Sequence, residues 1–154
     1  MRIVGLDVGA RRIGVAISDA TGTLARPVGV LRPAGLETDA ARATAAEVAR
    51  LRAEEDGVSA LVVGLPCRLD GSANEMTARV RAFAQELGRL TGLPVTLQDE
   101  RLTSREAESR LALTIKDWRD RKTRLDAAAA AVILQDYLDV GAHRPEVGAQ
   151  DAES

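Results

Sequence analysis

Residues 3–18 read Ile-Val-Gly-Leu-Asp-Val-Gly-Ala-Arg-Arg-Ile-Gly-Val-Ala-Ile-Ser, and this stretch decides the fold. Two runs rich in β-branched residues, Ile3 to Val8 and Ile13 to Ser18, flank Gly9-Ala10-Arg11-Arg12. The pattern predicts a hairpin of two antiparallel strands. Asp7 sits inside the first run among apolar neighbours, where a carboxylate is costly unless it is paired or bound to a metal. Gly5 and Gly9 on either side allow something to approach the backbone closely.

Outward from the hairpin, Thr23 to Leu31 predicts a weaker third strand, and Pro27 within it points to a sheet edge. Thr38 to Glu55 is rich in Ala, Arg, Glu and Leu and predicts a helix closed by Gly57. Ser59 to Leu65 is a continuous apolar run, as expected of a strand covered on both faces. After a loop at 66–71, Ser72 and Glu75 have the spacing of a capping box, and Gly92 ends the helix they open. Pro94 to Gln98 is the fifth strand. Thr103 with Glu106 opens a third helix through about Leu113, a charged stretch covers 114–124, and a last helix runs from about Leu125 to Leu138. The expectation is an α/β fold, a mixed five-stranded sheet flanked by helices, with one domain over 1–139 and a loose, acid-rich tail over 140–154. Leu-Asp-Val-Gly-Ala occurs at 6–10 and again at 138–142. The second copy is read as a coincidence that ends the last helix at Gly141.

Composition narrows the function. Apolar residues make up 45% of the 154-residue chain, which excludes wholesale disorder. No stretch approaches the ~18 uninterrupted apolar residues of a membrane span, and the N-terminus runs straight into a strand pattern. Cys67 is the only cysteine, which excludes an internal disulfide and a cysteine-built zinc site. The cytoplasm is the expected location. Phe83, Trp118 and Tyr137 are the only aromatics, too few for recognition by stacking bases on aromatic platforms.

Three acids stand out. Asp7 either satisfies the Gly9–Arg12 turn or holds a ligand. Asp99-Glu100-Arg101 arrives where a buried strand ends, and ligands of α/β sheets gather at carboxyl strand ends; the alternative is a polar loop before a cap. Asp126 fits a plain helix cap, but the Ala127 to Ala131 run behind it is slim enough to lie directly on a sheet. Such packing would bring Asp126 over the strand ends that carry Asp7 and Glu100. Three carboxylates make an oxygen-only site suited to Mg²⁺ or Mn²⁺, in a two-metal arrangement. His143 is the only histidine and falls in the expected tail, so a serine triad has no base. Residues 114–124 hold five cations against two anions. Trp118, Arg119, Arg121 and Lys122 there form an expected phosphate-binding flap, joined by Arg11, Arg12 and Arg101 from the same rim.

The chain resembles the YqgF/RuvX family, described both as Holliday-junction resolvases and as pre-16S rRNA nucleases. The resemblance rests on Gly5-Leu6-Asp7-Val8-Gly9 with Ile13 to Asp19, and on Val62-Val63-Gly64-Leu65-Pro66 with Asp70-Gly71. It continues through Asp99 to Ser104 and Asp126 to Ala130 with Ile133-Leu134. It implies an RNase H-like fold, with Asp7, Glu100 and Asp126 as metal-binding catalytic acids. Ala10 departs from the pattern, since relatives often carry a hydroxyl residue there. The implied partner is nucleic acid, precursor rRNA or branched DNA, and the two-fold symmetry of a junction would suit a homodimer. The rival is an ATP-binding phosphotransferase-like module of the actin/hexokinase type, whose phosphate loop also contains Asp-x-Gly. That architecture needs two such domains around a cleft, and this chain holds one.

Overall fold

The computed structural model describes residues 1–9, 11–33, 38–65, 75–99 and 118–142. Five strands, β1 (Arg2–Val8), β2 (Ile13–Ser18), β3 (Ala25–Leu31), β4 (Val58–Leu65) and β5 (Val95–Asp99), form one sheet in the order β3-β2-β1-β4-β5. Three helices accompany it, α1 (Thr38–Arg52), α2 (Glu75–Thr91) and α3 (Trp118–Ala142). β2 is antiparallel to both β1 and β3, whereas β1, β4 and β5 run parallel. The carboxyl ends of β1, β3, β4 and β5 therefore share one edge of the sheet, which also receives the start of β2. The expected mixed sheet is present, with the Pro27 strand at its edge.

Alternation along the strands divides the core in two. Val4, Leu6, Val8, Ile13, Val15, Ile17, Leu61 and Val63 pack on one face against Val48 and Leu51 of α1 and Val80, Phe83 and Leu87 of α2. On the other face Ile3, Ala16 and Val62 meet Ala130, Ala131, Ile133, Leu134 and Leu138 of α3. β4 is thus buried on both sides, as its unbroken apolar run requires. Gly57 and Gly92 close the turns after α1 and α2 at positive φ, 60° and 70°, where a side chain is strained.

α3 lies hard against the sheet. A Cβ on Gly5 would come 2.6 Å from the Leu134 Cβ and 3.1 Å from the Ala130 carbonyl oxygen. What approaches the backbone at Gly5 is this helix. Farther along α3, the Gln135 side chain accepts from Ala25 N (2.9 Å) and donates to the Thr23 carbonyl (2.9 Å) and to Asp139 Oδ1 (3.0 Å). The helix is thereby fastened to the start of β3. At the sheet's opposite side Arg2, 6% exposed, donates to the carbonyls of Leu51 and Gly57 and pairs with Glu54 at 2.9 Å. It ties β1 to the turn that follows α1.

Two expectations need correction. The last helix begins at Trp118, not near 125, and continues through Gly141 to Ala142. Residues 118–124 contain neither Gly nor Pro and are rich in Arg and Lys, which are good helix formers; their charge does not prevent them from extending the helix. The expected helix over 103–113, the loop over 66–71 and the chain beyond 142 lie outside the described residues.

Gly5→Ala should destabilise the protein by ~1–3 kcal/mol through overpacking against Leu134. Gly29→Ala, on β3, where an added Cβ meets nothing within 4 Å, should change stability by less than ~0.5 kcal/mol. Urea midpoints of the two variants provide the comparison.

Candidate active site

Asp7 occupies the carboxyl end of β1, on the face covered by α3. Its neighbour across β2 is Gly14. On the other side Leu6 pairs with Val63, so Gly64 is the next residue of β4 at the level of Asp7, and Gly64 pairs in turn with Gln98 of β5. The two residues flanking Asp7 in its row of the sheet therefore both lack side chains. The Asp7 side chain is 17% exposed, and its Oδ2 lies 3.8 Å from Nη1 of Arg12, an arginine that retains 33% exposure. The hairpin turn is closed by its own backbone, Gly9 N donating to the Arg12 carbonyl at 2.7 Å. Among the described residues no hydrogen bond ties the Asp7 carboxylate to that turn, whose Ala10 lies outside them.

α3 runs antiparallel to β1 on this face. Gln135 grips the start of β3, beside the amino end of β1, while Ala130 stands over Gly5. Asp126 is four residues before Ala130, ~6 Å along the helix axis. Asp7 is two residues past Gly5, ~6.6 Å along the strand in the same direction. The helix position of Asp126 is thus carried toward the Asp7 end of β1. Asp99 is the last residue of β5 and pairs with Leu65, so β5 ends at the same edge. Glu100 and Arg101 lie outside the described residues. Trp118, Arg119, Arg121 and Lys122 occupy the opening turns of α3, and Arg11 is exposed in the hairpin turn beside Arg12.

A family model described as "RuvX: Holliday junction resolvase" matches residues 1–140. The chain belongs to the RuvX family. A relative from Anaeromyxobacter described as "Putative pre-16S rRNA nuclease" is 48% identical over 139 residues, covering 90% of this chain and 97% of that protein. Among solved structures, Thermus thermophilus RuvC superposes with a TM-score of 0.59 at 18% identity, over 92% of this chain and 97% of that one. The fowlpox virus Holliday junction resolvase gives a TM-score of 0.52 at 14% identity, covering 91% and 99%. These likenesses establish the RNase H-like fold of this RuvX-family chain, and the family match makes it a member of a nuclease family. The phosphotransferase reading is the weaker of the two. Among the described residues, no helix is long and apolar enough to cross a membrane.

Several residues that matter here carry no local signal in the sequence. Gln135 is an ordinary helix residue until the β2–β3 turn is brought beside it, and Gly14 and Gly64 gain meaning only from the register with Asp7. Asp19, part of the family-like stretch, has a structural role. Its carboxylate accepts from Thr23 N (2.8 Å), Leu24 N (3.2 Å) and Thr21 Oγ1 (2.9 Å), and so organises the β2–β3 turn.

These hydrogen bonds, that from Thr23 N first, then Thr21 and Leu24, hold the Asp19 carboxyl below its ordinary value. With the folded value below the unfolded one, the carboxylate's contribution is complete above the unfolded value. It is lost as pH falls through the folded one. An NMR pH titration of the Asp19 side chain should show the lowered midpoint, and Thr23→Pro, which removes the leading donor, should raise it.

Proposed function

We propose that this chain is a divalent-metal-dependent endonuclease in which Asp7, Glu100 and Asp126 form the catalytic site, acting on structured nucleic acid. The observation that carries the reading is Asp7 itself. It is a half-buried carboxylate at the shared carboxyl edge of the sheet, flanked by two glycines, with one long ion pair to Arg12. Such an acid suits a hard cation's oxygen ligand, because among the described residues its charge is only partly compensated and no neighbouring side chain in its row crowds it. Asp126 approaches the same end on α3, and Glu100 directly follows the strand that ends there. No group of three or more metal-ligating side chains occurs among the described residues, and two of the three acids have side chains outside that set. When bound, Mg²⁺ or Mn²⁺ supplies an activated water and charge compensation for the departing oxygen.

The chain's own residues do the rest. The three carboxylates would hold the cations, and Arg12 holds the Asp7 carboxylate from the hairpin side. Arg11, Arg101, Arg119, Arg121 and Lys122 bind the flanking phosphates, with Trp118 offering one stacking surface. Contacts of this kind read backbone shape and not base sequence. The substrate we favour is precursor rRNA, cut at the 5′ end of pre-16S rRNA, in line with the description of the Anaeromyxobacter relative. A second reading, resolution of Holliday junctions by a homodimer, is favoured by the description of the family model. Both use the same acids, since a metal-activated water attacks RNA and DNA alike.

Asp7→Asn, Glu100→Gln and Asp126→Asn should each abolish cleavage and leave the fold intact, with melting temperatures in metal-free buffer equal to or above that of the parent protein. Assays on a 5′-extended 16S rRNA fragment and a four-way DNA junction at one salt concentration separate the substrates. Near-normal cleavage by Asp7→Asn would remove the mechanism, and symmetric cutting of the junction with the RNA left intact would remove the rRNA reading. Replacing Arg119, Arg121 and Lys122 together by Ala should flatten the salt dependence of binding by ~0.9 log–log unit for each duplex phosphate that is no longer neutralised. An unchanged slope would reduce these turns of α3 to a connector.

A further inference from the structure

We infer that Gln98, on β5, determines specificity at the site, its side-chain amide taking a ribose 2′-hydroxyl near the phosphate that lies at Asp7. The inference rests on the nuclease reading and deepens it by naming RNA as the strand the site favours. Register supplies the placement. Leu6 of β1 pairs with Val63 of β4, and Val63 pairs with Leu97 of β5. The next residues along these three strands are Asp7, Gly64 and Gln98, and Gly64 and Gln98 are themselves a pair. All three strands continue beyond this row, to Val8, Leu65 and Asp99. Leu6, Val63 and Leu97 face the core beneath α1 and α2, so by alternation Asp7, Gly64 and Gln98 share the opposite face. Two strand spacings, ~10 Å, separate Asp7 from Gln98, and the residue between them has no side chain.

Chemistry supplies the ligand. Gln98 is only 9% exposed, yet among the described residues no hydrogen bond reaches its amide. A buried amide without partners is costly. The amide is not sealed from solvent, and Thr96, two residues back on the same face, is exposed, so a ligand has an approach along β5. A carboxamide carries donors and an acceptor on one neutral group. A phosphate oxygen only accepts, and would leave the Gln98 carbonyl oxygen unsatisfied; exposed arginines such as Arg11 suit that task better. A ribose 2′-hydroxyl both donates and accepts, and so satisfies both ends of the amide. It is also the group by which a protein distinguishes RNA from DNA. At ~3.4 Å rise per nucleotide, the ~10 Å between Asp7 and Gln98 places this hydroxyl within about three nucleotides of the cleaved linkage.

The test is a double cycle between protein and RNA, read as binding by fluorescence anisotropy in Ca²⁺ buffer. The proteins are the full chain, Gln98→Met, which keeps the side chain's length and removes its hydrogen bonds, and Thr96→Val as a control on the same face. The probes are a labelled 5′-extended 16S rRNA fragment, copies carrying a single 2′-deoxy nucleotide within three positions of the cut, and a labelled four-way DNA junction. One 2′-deoxy substitution should weaken the parent protein ~3–10-fold, the worth of one neutral hydrogen bond. Gln98→Met should bind the all-ribose fragment more weakly by a similar factor and be indifferent to that substitution. Its melting temperature should equal or exceed the parent's, because an apolar side chain replaces a buried amide without partners. Thr96→Val should behave as the parent does. Additive losses in the cycle, or a parent protein indifferent to every 2′-deoxy substitution, overturn the inference and leave the nuclease reading standing. So does a parent protein that binds the junction but not the RNA. Failure of the parent protein to bind either RNA or junction removes both.

Discussion

The contact between α3 and Gly5 sets how the helix lies on the sheet. A helix can lie this close to a sheet only where the strand beneath offers no side chain, and Leu134 and the Ala130 carbonyl occupy the space where a Cβ would stand. The buried alanines of α3, Ala127, Ala128, Ala130 and Ala131, make the helix correspondingly slim. Depth and direction follow together. With Ala130 over Gly5 and Gln135 fastened to Thr23 and Ala25, the amino end of the helix is directed toward the carboxyl end of β1. A single glycine in the central strand thus governs where an acid eight residues upstream of Leu134 is carried.

The two faces of the sheet have separate tasks. Beneath α1 and α2 lies the larger apolar core, which supplies most of the burial that holds the sheet together. The α3 face carries a smaller cluster and, at its edge, Asp7 between two glycines. Stability built on one face lets the other keep a partly compensated carboxylate, because the cost of burying that charge is spread over a fold that does not rely on its surroundings. Arg12 moderates the charge of Asp7 and retains 33% exposure.

Much of this is legible in the sequence, for physical reasons that can be named. The β1–β2 hairpin follows from β-branched runs about a short turn, the edge position of β3 from the missing donor of Pro27, and the double burial of β4 from its unbroken apolar run. Asp7 is conspicuous because a carboxylate in an apolar strand needs an explanation. The failures are those of non-local information. The charge of Trp118 to Arg124 suggests a flap ahead of the last helix, yet nothing in these residues breaks a helix. The two copies of Leu-Asp-Val-Gly-Ala are separable by context: the first begins as strand at residues 6–8, and the second is helix at 138–142, passing Gly141 by one residue. The same five residues take whichever form their packing partners impose, because intrinsic propensities are small beside tertiary contacts. Gly5 signals a point of close approach, but only the fold identifies the approaching group as α3.

The proposed site requires Asp7, Glu100 and Asp126 to converge on a shared cation. Anomalous diffraction from crystals of the full chain grown with Mn²⁺ tests that convergence. The expected result is a manganese peak coordinated by carboxylate oxygens of all three residues, and loss of that peak in Asp7→Asn crystals. A crystal structure in which the three carboxylates do not meet, or in which manganese binds only elsewhere on the protein, would contradict it.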